Sequence, residues 1–211
     1  MAEKTEKYRV ESCSACGLPL PNTSQTCPFC GLSPDGSGSY QLIGDKDGFH
    51  WLAGETEVAI AVPLDDVWQI RHASTHTSQF YLISHHLEGK VSTALLNRAL
   101  QPSTTMVFNL PSSKHAPVFA RIQTADGRSR MAMKVDGPTG LHLIDSSGDV
   151  VLIGSAKNGP IGSGLDVLIV KPIQTLMPYG IFGVLLAMLL AQTALEGHTN
   201  YPGIGTLSKP S

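Results

Sequence analysis

The chain is poor in charge and in aromatic rings: charged residues make up 15%, and Phe, Trp and Tyr together 6%, of its 211 residues. Fifteen Lys and Arg against seventeen Asp and Glu leave a formal net charge of −2. A balance so near zero supplies no basic surface for non-specific nucleic-acid binding, so no nucleic acid is expected as a partner. Low charge with 21 Gly and 14 Pro also excludes a long coiled coil and a charged disordered chain. Catalytic signatures are missing too. The sequence holds no nucleophile elbow, phosphate loop, dinucleotide fingerprint or HExxH. Gly159-Pro-Ile-Gly-Ser-Gly lacks the Lys-Ser/Thr ending of a phosphate loop and reads as a turn, as does Asp65-Asp66. Eight histidines are many for this length. However, the neighbours His85 and His86 would point to opposite faces of a strand and cannot chelate as a pair, and His72 and His76 flank a Ser/Thr-rich turn. The expectation is a non-catalytic protein with no small-molecule substrate.

What the chain does have begins with cysteine. All four fall within eighteen residues, as Cys13-Ser-Ala-Cys16-Gly17 and Cys27-Pro-Phe-Cys30-Gly31. Two CxxC pairs can form two tight knuckles that place four thiolates tetrahedrally around one ion. Gly17 and Gly31 let the backbone turn back with N–H groups aimed at the sulfurs. The residues before Cys13 contain no apolar stretch, which argues against a secretory signal and for the cytosol, where disulfides are disfavoured. This stretch resembles a short bacterial zinc ribbon, CxxCG…CPxCG. Its knuckles are also similar to those of rubredoxin, which binds iron, but the long insert and aromatic core of a rubredoxin are missing. Zinc is therefore expected, with iron as the minor alternative. A closed four-cysteine site is structural and not catalytic, and its metal would fold a segment too short for a core of its own. Only Lys4, Lys7 and Arg9 supply positive charge nearby, so the module should dock on protein.

After a Ser/Gly-rich linker at 32–39, the chain reads as short β segments separated by turn signals such as Asp47-Gly48, Asp126-Gly127 and Ser147-Gly148. Strands are expected at Tyr40–Gly44, Phe49–Gly54, Glu57–Leu64, Val67–His72, Phe80–His85 and Met106–Leu110. Others follow at Val118–Thr124, Arg130–Asp136, Gly140–Ile144, Val150–Ser155 and Leu165–Val170. Val91–Leu100 fits a strand or a short helix. Roughly eleven strands at this spacing point to a barrel or sandwich and not to alternating βα units. In Arg130–Val135 the alternation turns Met131, Met133 and Val135 inward and Arg130 and Lys134 outward. Arg121 and Arg128 can join the last two in a basic patch. The patch is either a solvated face or a site for anionic lipid or a partner.

One long apolar run stands out. Leu176 to Leu195 carries no charge and would be helical from Ile181 onward. Gly183, Ala187 and Ala191 recur every four residues, a face on which a neighbour can approach closely, in lipid or inside a protein. The strand succession, then Gly140-Leu-His-Leu-Ile-Asp-Ser-Ser-Gly-Asp-Val-Val-Leu-Ile-Gly, then the apolar helix, resembles the tubby-like group, which includes phospholipid scramblases and LURP-one-related proteins. Leu165-Asp-Val-Leu-Ile-Val-Lys-Pro-Ile looks like the last strand of such a barrel. The resemblance implies twelve strands wrapped around a hydrophobic C-terminal helix.

The expected organisation is mainly β: an arm at 1–12, zinc ribbon at 13–31, linker at 32–39, β-rich domain at 40–173, helix at 176–195 and polar tail at 196–211. The expected role is a scaffold or binding protein at or near a membrane, cytoplasmic and membrane-associated, as an accessory subunit of a larger assembly. The alternative makes the helix a single membrane span. The chain would then be a subunit of a respiratory, photosynthetic or secretion complex, with its N-terminus in the cytosol.

Overall fold

The computed structural model describes residues 11–13, 19–20, 26–27, 33–87, 89–109, 118–127, 130–136, 140–156, 164–173, 176 and 179–195. Two short strands, β1 (Glu11–Ser12) and β2 (Pro19–Leu20), pair antiparallel. The remaining strands are β3 (Gly38–Gly44), β4 (Phe49–Ala53), β5 (Thr56–Leu64), β6 (Val67–His72), β7 (Ser78–Leu87) and β8 (Lys90–Asn97). They continue as β9 (Pro102–Asn109), β10 (Val118–Thr124), β11 (Arg130–Asp136), β12 (Gly140–Asp145), β13 (Val150–Ala156) and β14 (Gly164–Ile169). Helix α1 (Tyr179–Leu195) follows. Each strand from β3 to β14 pairs antiparallel with the next, and β14 pairs with β3, closing a twelve-strand barrel. Most of the segment 91–100, which fits a strand or a short helix from sequence, is strand β8, whose Val91, Thr93 and Leu95 face inward.

A closed barrel of twelve strands is wider than one that wall side chains alone can fill. Here α1 fills it. Ile181, Phe182, Val184, Leu185, Leu186, Met188 and Leu189 surround the helix axis, and all are fully buried. The helix runs closest to β7, β8 and β9. That approach depends on Gly183, where a methyl group would meet Leu95 Cδ1 at 2.6 Å and Ile70 Cδ1 at 3.2 Å. On the β3–β4 side the gap is spanned by rings instead. Tyr40 stacks on Trp51 at 4.8 Å and Trp51 on Phe182 at 5.9 Å. Gly183, Ala187 and Ala191 are all buried inside protein, which corrects the alternative of a membrane span. Among the described residues no helix is long and apolar enough to cross a membrane.

Two polar clamps fix the barrel's turns. Lys171, just past β14, lies 3.2 Å from both Asp145 and Asp149 and so ties the exit of β14 to the β12–β13 turn. At the β3–β4 turn, Asp45 Oδ1 accepts the N–H groups of Asp47 at 2.8 Å and Gly48 at 3.0 Å. Those bonds, led by the one from Asp47, hold the Asp45 carboxyl below its ordinary range. Its other oxygen meets His50 Nε2 at 3.0 Å, while His50 Nδ1 contacts Glu57.

His50 therefore sits between two carboxylates, and the β4–β5 register explains how. A bulge between Trp51 and Leu52 lets Val58 and Ala59 both face inward and turns Glu57 outward beside the imidazole. Burial opposes the charged imidazole most strongly, but the bonds and negative charges of Glu57 and Asp45 together outweigh it, so the pKa rises above 6.5. A raised folded-state pKa gives stability that is complete below about pH 6.5 and lost as pH climbs through the folded value. Melting temperature should thus fall between about pH 6 and pH 8. In His50→Gln that fall should flatten; an unchanged slope would show that another group sets it.

Candidate functional site

The basic residues singled out from the sequence lie on the outer wall of the barrel, where antiparallel register decides which of them meet. Arg121 on β10 stands opposite Val107 on β9 and Ala132 on β11. Gln123 stands opposite Thr105 and Arg130, and Asn109 opposite Lys90 and Phe119. Lys90, Thr105, Asn109, Arg121, Gln123 and Arg130 form the polar lining of a groove of about 710 Å³. Its lining also includes the exposed Val107 and the edges of the buried Ile122 and Met131.

Arg121 and Arg130 are therefore brought together. Lys134 lies on the same outward face two residues further along β11, opposite Phe119 and His142, and does not line the groove. Arg128 lies outside the described residues. Lys90 was not anticipated: it is remote in sequence from the arginines, and only the pairing of β8 with β9 and β9 with β10 delivers it. Among the described residues, Lys90, Arg121 and Arg130 have no ion-pair or hydrogen-bond partner. The described residues that line the groove include no Asp or Glu. Three long cations converge on one groove with their donors open. Such a set recognises anionic oxygen, through guanidinium forks at Arg121 and Arg130 and a point charge at Lys90.

The alternation expected in β11 is present: Met131, Met133 and Val135 are buried, and Arg130 is exposed. His85 and His86 lie exposed on β7. His72 Nδ1 instead accepts the backbone N–H of Ser74 at 3.2 Å, a turn-capping role.

In the N-terminal segment, β1 and β2 stand on either side of the first CxxCG motif in the sequence. Cys13 and Cys27 are each 1% exposed. Cys16 and Cys30 lie outside the described residues. No group of three or more His, Cys, Asp or Glu placed to hold a metal occurs among the described ones.

No family model matches this chain, and no curated protein matches its sequence. One solved structure is similar. It is that of a protein from Arabidopsis thaliana, 11% identical, aligned over 74% of this chain and 93% of its own, with a TM-score of 0.34.

Proposed function

We propose that this chain is a non-catalytic binding protein, an accessory subunit working at or near a membrane, whose barrel takes anionic groups in the β8–β11 groove. The N-terminal module is a zinc ribbon that docks on a protein partner, and the barrel is of the tubby-like kind. A closed twelve-strand barrel threaded by an apolar C-terminal helix supports the second part, because it is the architecture which that resemblance implies. The observation that carries the groove's role is that Lys90, Arg121 and Arg130 line it together, with no carboxylate among its described lining residues. Evenly spread solvated charges on a chain of net −2 would have acidic neighbours interspersed.

The test is co-sedimentation of the full chain with vesicles of phosphatidylcholine containing about 30 mol% phosphatidylserine, at about 0.1 M salt. Each cation near such a surface contributes about 1 kcal/mol, so Arg121→Glu with Arg130→Glu should weaken binding at least about tenfold. Both sites are exposed, so melting should change little. Equal binding by wild type and double variant would remove the groove from the function.

For the ribbon, Cys13→Ser or Cys27→Ser should release zinc, measured as metal per chain, and leave the barrel's thermal transition in place. Full metal content in either variant would refute the ligand assignment.

A further inference from the structure

The groove explains why the barrel would prefer an anionic surface, but not how a convex wall seats on one. Two exposed apolar side chains stand among the groove's cations. Phe119 on β10 is 46% exposed, and Val107, on its neighbour β9, 38%. They are diagonal neighbours across the β9–β10 seam, since Phe119 pairs with Asn109 and Arg121 with Val107. Lys90 flanks them from β8, and Arg130 and Lys134 from β11.

Curvature makes this placement informative. In a closed barrel of twelve strands each step turns the wall by about 30°, so β8 to β11 span about 90° with the seam at their centre. Pressed tangentially on a plane, the barrel would touch first along the seam, while long Lys and Arg side chains on either flank reach down to the same level. Cations flanking two apolar side chains at the line of first contact suit a surface with anionic headgroups above hydrocarbon.

We propose, on the basis of the anionic-surface function given above, that the barrel seats on lipid along the β9–β10 seam, with Phe119 and Val107 entering the headgroup–acyl boundary and Lys90, Arg121 and Arg130 binding acidic headgroups around them. The occupant is a lipid surface. A fluid bilayer conforms to a convex wall, whereas a rigid protein partner would need a matching concavity to bury the area of a stable interface.

Leu168 supplies an internal control. It is 45% exposed, as Phe119 is, but lies on β14, four strands from β10 and so about 120° around the wall. It faces away when the seam faces the membrane. The experiment compares the full-length wild type, Phe119→Asp, Val107→Asp, Leu168→Asp and the Arg121→Glu/Arg130→Glu double variant on the same phosphatidylserine vesicles. Each variant is first checked for an unchanged melting transition. Phe119→Asp should bind about tenfold more weakly, Val107→Asp several-fold, and Leu168→Asp within about twofold of wild type.

If Phe119→Asp and Val107→Asp bind as wild type while the arginine variant fails, the groove holds anions without apolar insertion and the seam falls alone. If Leu168→Asp loses as much as Phe119→Asp, the seam is not the line of contact. If the wild type ignores the vesicles but binds immobilised poly-glutamate, the partner is an acidic protein. Seam and membrane function then fall together.

Discussion

Removal of residues 176–211 should leave a chain that cannot hold its barrel. Seven large side chains of α1 are fully buried, and each contributes roughly 1.5–3 kcal/mol by leaving water, on the order of 10–20 kcal/mol together. That matches or exceeds the whole stability of an ordinary domain, about 5–15 kcal/mol. No compensating collapse is open to a closed wall. Its strands are bonded all the way round, so the inner faces of β6, β8 and the rings at Tyr40 and Trp51 cannot close over the space the helix leaves. The truncated chain should lack a cooperative thermal transition, lose its near-ultraviolet dichroism and bind a hydrophobic dye. A truncated protein that melts cooperatively with the aromatic spectrum of the full chain would mean that α1 is not the core.

The second large effect comes from a single atom. Gly48, in the turn clamped by Asp45, has φ +154°, and a Cβ there would stand 2.1 Å from the carbonyl oxygen of Ala61 on β5. That oxygen is backbone in a paired strand and cannot swing aside, so Gly48→Ala must pull the β3–β4 turn off β5. The cost should exceed about 3 kcal/mol and lower the melting temperature by about 10 °C or more. Gly54 is the comparison: φ is +60° and nothing lies within 4 Å of a Cβ there. Gly54→Ala should therefore cost only the left-handed backbone penalty, about 1–2 kcal/mol. Equal losses at the two positions would show that φ alone decides, and not the contact with Ala61.

Most of the barrel was legible because its signals are local. Arg130–Asp136 alternates cleanly, and turn pairs such as Asp126-Gly127 and Ser147-Gly148 carry the positive φ that glycine supplies, +69° and +89°. Val91–Leu100 fits either a strand or a short helix from sequence because the inward face of β8 includes Thr93, a polar residue buried in the wall, while Leu96 sits outside. The apolar run was recognisable as buried, but composition cannot distinguish lipid from the inside of a barrel; that depends on how many strands surround it. The sites were harder for the same reason. Lys90 reaches the arginines only through two strand registers, and Glu57 reaches His50 only because one bulge reverses the face it occupies. Register and bulges are properties of pairs of strands, and no single stretch of sequence contains them.

The position of the helix also orders events in time. The strand that closes the ring, β14, and the helix that fills it are the last parts of the fold to leave the ribosome. At roughly 5–20 residues per second, the strands between Gly38 and Ile169 wait on the order of ten seconds for them. Until then β3 has no partner on its outer side and every inward-facing side chain is open to water or to other nascent chains. Closure of the ring therefore waits until all twelve strands and the helix have been made. The helix thus both fills the ring and marks the point along the chain after which the barrel can first be complete.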